Sequence, residues 1–200
     1  MEESMNCFML TGKNTFPGVS AFATEDTKPG YKLILDLEGL QELPLELHLV
    51  KLTCAKDGLI EDEDLSGVDN LWEDYMLNQF AYNIFSARFK EVIEKELTGN
   101  EEINWITAKI HGNGECKTYY ILRFTKKLDT INKEKSLFDK YGLIRPCFSS
   151  AKVEKYSIFH WPSSDYFWKI PSGVFVSEKL KKAIQKAKLT GVGFEKTEMS

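Results

Sequence analysis

The sequence predicts an α+β fold, with a mostly antiparallel sheet and two main amphipathic helices packed on it in a single domain of 200 residues. Three observations predict it. Apolar residues alternate with polar ones over 43–52 and 103–124, the period of a half-buried strand. The stretches leading to Gly99 and Gly191 repeat apolar residues at helical spacing. The composition, 42% hydrophobic and 28% charged, is that of a chain able to bury a core without staples.

Taken in order, Asn6–Leu10 reads as a short strand and residues 11–28 as a long loop rich in Thr, Ser, Gly and Pro. Tyr31–Leu37 reads as a strand with Leu33, Leu35 and Leu37 on one face. Leu43–Leu52 repeats the pattern with Leu43, Leu45, Leu47 and Leu49. This β-rich part spans about 1–60. Residues 55–70 form an acidic loop. A long helix is expected over 71–97, or two helices with a break near Asn83–Ser86, in which case Ser86 is a cap. Ile103–His111 and Cys116–Phe124 form a hairpin across Gly112-Asn113-Gly114-Glu115, because Gly and Asn tolerate positive φ. Asn132–Tyr141 reads as a short helix ended by Gly142, and Lys152–His160, Tyr166–Ile170 and Val174–Val176 as strands. Ser177 caps a last helix over about 178–188, and Val192–Glu195 closes the chain as a strand. The stretches Ser86–Gly99 and Ser177–Gly191 echo one another, each ending in Leu-Thr-Gly. Shared helix grammar accounts for the cap, body and stop; a duplicated helix–strand unit is the other reading.

Charge is divided along the chain. Residues 1–100 sum to −11 and residues 101–200 to +7. The acidic half suits a basic partner. The basic half has no dense Arg cluster, which ranks nucleic acid well below protein as a partner. Met1-Glu2-Glu3 lacks the basic start of a signal peptide, and no apolar run reaches membrane-spanning length, so a cytoplasmic chain with reduced thiols and no membrane partner is expected. The absence of heptads points to a monomer or a weak homodimer.

Chemistry-bearing motifs are few. Placing Gly58 at the sixth position of a calcium loop puts Thr53, Ala55 and Asp57 where three acidic ligands belong, so that reading fails. His48, His111 and His160 form no metal-ligand spacing, and zinc would need distant Cys and His to converge. No cofactor loop is present: the Gly-x-Gly at 112–114 lies in a hairpin. Ser163, Ser164 and Asp165 follow His160, and Cys147 could pair with His160, but a catalytic set is defined by geometry and not by proximity in sequence. No catalytic residues are assigned. For protein binding, the run Glu61, Asp62, Glu63 and Asp64 offers charge-assisted hydrogen bonds to Lys and Arg. Trp161 and Tyr166 offer aromatic anchors of the kind found in binding hot spots.

The second half carries a family resemblance. Phe85-Ser86 before an amphipathic helix, Tyr119-Tyr120-Ile121-Leu122, Lys135-Ser136, the stretch from Gly173 through Val176-Ser177 to Ile184, and Leu189-Thr190-Gly191-Val192-Gly193-Phe194 resemble the immunity proteins of bacterial polymorphic toxin systems, in particular the Myxococcus-type immunity domain group. The resemblance covers about residues 80–196, within a family-like part of about 70–196. It implies a cytoplasmic, non-catalytic protein that binds and neutralises a cognate toxin; the acidic run of this chain adds the expectation that the toxin presents a basic surface. The competing class is a regulatory or scaffolding interaction module unrelated to toxins.

Overall fold

The computed structural model describes residues 6–13, 15–140, 142–163 and 165–200. The chain opens with β1 (Cys7–Gly12), β2 (Gly18–Ala23), helix α1 (Gly30–Asp36), β3 (Glu42–Ala55) and β4 (Gly58–Asp62). Two short strands, β5 (Tyr75–Met76) and β6 (Ile84–Phe85), lead into α2 (Ala87–Glu96) and the hairpin β7 (Ile103–Gly112) and β8 (Glu115–Phe124). A small hairpin follows, β9 (Leu137–Asp139) and β10 (Gly142–Arg145), then α3 (Ser150–Val153) and β11 (Ile158–His160). A 3-10 turn (Tyr166–Trp168), β12 (Val174–Ser177), α4 (Glu178–Lys186) and β13 (Val192–Lys196) complete the chain.

The large sheet runs β2-β3-β7-β8-β6-β5, with β4 paired to the far end of β3. All its pairings are antiparallel except β3 with β7. Its two edges meet: Ala21 N–H donates to the Leu77 carbonyl at 2.7 Å, and Gln79 N–H donates to the Ala21 carbonyl at 3.2 Å. The sheet therefore curls until β2 faces the segment after β5. The small sheet is antiparallel, in the order β11-β12-β1-β13. The large sheet is a wall between two apolar clusters, because successive strand residues face opposite sides. Ile84 and Ile121 belong to the cluster inside the curl, with Leu47 and Ile106. Their neighbours Phe85 and Leu122 belong to the other, with Phe89 of α2, Leu180 of α4 and Phe175 of β12.

The α+β class, the β7–β8 hairpin, β3, α4 and β13 are where the sequence places them. Asn113 (φ 51°) and Gly114 (φ 77°) make a two-residue turn of the mirror-image type that suits strand twist. The echo has a topological counterpart. β6-α2-β7 and β12-α4-β13 are both strand–helix–strand units, and in each the two strands flank a third, antiparallel strand: β8 in one, β1 in the other.

Several expectations are corrected. Tyr31–Leu37 is helical, because its buried residues are Leu33, Ile34 and Leu37, while Leu35 is 50% exposed. That spacing is helical, and Arg123 caps the helix end by donating to the carbonyls of Leu37 and Leu40. No helix spans 71–97. The Asn78 side chain accepts from Phe80 N–H and Tyr82 N–H and donates to the Met76 and Tyr82 carbonyls, which turns the chain between β5 and β6. The break near Asn83–Ser86 is real, and Ser86 caps α2 by accepting from Phe89 N–H at 3.2 Å. The loop expected at 11–28 contains β2, whose small residues disguise it. Within 55–70, the segment 58–62 is a strand. At 132–141, Asn132 Oδ1 accepts from Glu134 and Lys135 N–H in a turn, and β9 follows; Tyr141 lies outside the described residues. Only 158–160 of the strand expected at 152–160 is extended, after α3, and Tyr166–Trp168 is a 3-10 turn.

Candidate protein-binding surfaces

The acidic run lies on a projecting hairpin arm. β2 pairs with β3 only as far as Leu52, and β7 only as far as His48. Beyond them, among the described residues, β3 pairs only with β4, in register Thr53↔Ile60 and Cys54↔Leu59. From Thr53 to Asp64 every residue except Ala55 is exposed. Leu59 is 57% and Ile60 54% exposed, although adjacent strand residues point to opposite faces, so both faces of the arm are bare.

The four carboxylates divide into two kinds. Asp62 Oδ1 accepts from Asp64 N–H at 2.9 Å, and Asp62 pairs with Lys51 at 3.2 Å; these contacts hold its carboxyl below the usual aspartate range. Asp64 accepts from the Ser66 hydroxyl at 2.7 Å and Ser66 N–H at 3.0 Å, with the same consequence. Both aspartates therefore build the turn that ends the arm. Glu61 and Glu63 are exposed and have no ion pair or side-chain hydrogen bond among the described residues.

Trp161 lies elsewhere, on the loop after β11. Its N–H donates to the Gly173 carbonyl at 2.8 Å, and its ring stacks on Phe175 with centroids 6.0 Å apart. It stands between two open grooves. One, of about 560 Å³, is lined by Tyr31, Phe80, Tyr82, Phe167 and Ile170. The other, of about 620 Å³, is lined by Leu128, Ile131, Phe138, Leu143 and Phe167. Tyr166 lines neither groove; its ring packs against that of Phe167 with centroids 4.6 Å apart. The structure thus gathers Trp161 and Tyr166 around Phe167, while none of the four carboxylates lines either groove. Phe167 adds a half-buried ring to both grooves, whereas Phe80 and Tyr82 are buried and belong to the core beneath the first groove.

His160 is fully buried and fully engaged. Its Nδ1 lies 2.8 Å from the Trp161 carbonyl, and its Nε2 2.9 Å from Leu128 N–H. Nδ1–H therefore donates, Nε2 accepts, and the ring is neutral. Burial lowers its pKa to about 4 against the opposing pull of the Trp161 carbonyl. With both nitrogens committed to backbone, it has none to offer Cys147 or Ser163 as a base; Ser164 lies outside the described residues. The thiols are all free, and burial pushes Cys7 up to about 12, which makes it unreactive. His48, His111 and Cys116 sit side by side across β3, β7 and β8, with Cys116 Sγ 3.6 Å from His111 Nε2 and the two imidazoles stacked at 5.0 Å. Among the described residues no group of three His, Cys, Asp or Glu is placed to hold a metal ion. No helix among the described residues is long and apolar enough to cross a membrane.

The model of an immunity protein family, Imm11, matches residues 25–199. This chain belongs to the Imm11 immunity protein family. No curated protein matches it. The Imm11 match extends well upstream of the 80–196 resemblance and takes in α1, β3, the acidic arm and both aromatic grooves. It leaves out β1 and β2, even though β1 is an inner strand of the small sheet.

Proposed function

We propose that this Imm11 protein binds and neutralises a cognate bacterial toxin in the cytoplasm, without catalysis. The observation that carries the proposal is the family match over nearly the whole chain. The surface chemistry supports it. Glu61 and Glu63 project a negative charge that steers a basic protein toward the arm and pairs with its Lys and Arg side chains. Leu59 and Ile60 supply apolar area beside them. Trp161, which shares both grooves with Phe167, offers a second, aromatic contact, with Tyr166 against the Phe167 ring, and large rings concentrate binding energy where they fill a pocket. An inhibitor of this kind works by occupying the toxin and needs no chemistry of its own.

The test is co-expression of the chain with the toxin-like open reading frame next to its gene. Rescue of growth and co-purification as a 1:1 complex is the expected result. Toxicity that the chain does not relieve, with no complex formed, would end the immunity reading and favour a regulatory interaction module.

A further inference from the structure

We infer that the outer edge of β4 is a docking edge, and that a basic, extended segment of the toxin adds to it as one more strand. This rests on the immunity reading above. The inner edge of β4 is paired with β3, and the outer edge pairs with nothing among the described residues. About half of a strand's N–H and C=O groups point to each edge, so β4 presents a row of unmet donors and acceptors. An isolated two-stranded ribbon is marginal in water. This one also carries Leu59 and Ile60 bare on opposite faces, with no core behind either. Both side chains gain apolar contact when a third strand widens the ribbon.

The charge selects the occupant. Between Thr53 and Asp64 the arm holds five carboxylates, Asp57 and Glu61 to Asp64, against Lys56 alone. Two copies of the arm repel one another, and like charges side by side across strands oppose pairing. A strand bearing Lys or Arg is attracted, and Glu61 within β4 and Glu63 just past its end, both exposed and free of internal partners, flank the edge to receive it. The backbone supplies the affinity of such an addition, and the charges supply its register and specificity.

The experiment is hydrogen exchange on the full chain, alone and in complex with its cognate toxin. The expected result is that amides within 58–62 exchange at least about tenfold more slowly in the complex, the factor that corresponds to about 1.4 kcal/mol of added protection. In parallel, Leu59→Ser with Ile60→Ser removes apolar side chains that are exposed in the free chain, so folding is retained while toxin affinity falls by about tenfold or more. A complex that forms with 58–62 unprotected, or with affinity indifferent to the double substitution, overturns the inference and leaves the immunity reading standing. Failure to form any complex removes both. Protection that rises with the concentration of the chain alone, together with a dimer in solution, assigns the edge to a second copy and overturns the toxin strand.

Discussion

Thr98 and Thr190 stand at the centre of the two Leu-Thr-Gly segments, and each gives its N–H to a buried carboxylate. Thr98 N–H donates to Glu101 at 3.1 Å, and Thr190 N–H donates to Asp74 at 3.0 Å. Glu101 is 1% and Asp74 4% exposed. The repeated tripeptide was legible as an echo; its cause was not, because Asp74 is 116 residues from its threonine. Glu101 also accepts from Gly99 N–H and from Ser157 N–H at 2.7 Å. Glu101→Ala strands the buried Ser157 N–H and releases the more open Thr98 and Gly99 N–H groups, so it should cost roughly 2 kcal/mol in urea unfolding, with Glu101→Gln intermediate because its amide can accept at one atom only. His160 gives a pH-dependent counterpart. The unfolded chain protonates a histidine near pH 6.5, but the folded chain holds His160 neutral down to about 4. Within that window only the unfolded state takes up the proton. Stability therefore falls as pH drops from 6.5 toward 4, by up to about 3 kcal/mol from this group. Urea titrations at several pH values should show a steeper acid slope for the wild type than for His160→Gln; equal slopes would refute the assignment.

Elements were legible where one physical signal dominates. The β7–β8 hairpin announces itself by alternation and an Asn-Gly turn, and α4 by a Ser cap and an apolar stripe. Elements were misread where two periods fit the same letters. Leu33, Leu35 and Leu37 satisfy alternation, yet Leu33, Ile34 and Leu37 satisfy a helix, and the burial of Ile34 decides. In 71–85 the apolar spacing mimics a helix while Asn78 and the seam with β2 claim the backbone. β2 was missed because Gly18, Ser20, Ala21 and Ala23 give it no apolar alternation, and its second partner, the segment 77–79, has no strand signal of its own. The two helix caps provide a test at this scale. Ser177 Oγ accepts from Leu180 N–H, an ordinary cap. Ser86 Oγ accepts from Phe89 N–H and also donates to Asp74 Oδ1 at 2.6 Å, which ties α2 to the segment after α4. Ser177→Ala should then cost about 1 kcal/mol and Ser86→Ala about 2 kcal/mol, measured by denaturant unfolding. Equal losses would mean that the Asp74 link contributes nothing beyond the cap.

At the scale of the molecule, the acidic and basic halves of the sequence do not remain apart. β1, from the acidic half, is flanked by β12 and β13 from the basic half. No local pattern could announce that insertion, since it joins residues about 170–190 positions apart. The acidic run itself was legible as charge. What it lacked was a division of labour, which the hydrogen bonds of Asp62 and Asp64 now supply.

That division makes the electrostatic part of the proposal testable apart from the fold. Glu61→Gln with Glu63→Gln removes two charges that hold nothing in place, so thermal stability should not move. Association with the toxin should slow several-fold, roughly, and its dependence on salt between about 0.05 M and about 0.5 M should flatten, because the lost charges act through water over a screening length. Asp62→Asn with Asp64→Asn removes the same formal charge but also disturbs the turn that sets the direction of the arm. Its effect should include a slower association of the same size and a faster dissociation that salt does not reproduce. Surface plasmon resonance across the salt series separates the two. If both pairs behave alike, the arm acts as a diffuse charge. If only the glutamate pair leaves dissociation unchanged, the aspartates position the arm and the glutamates steer the partner to it.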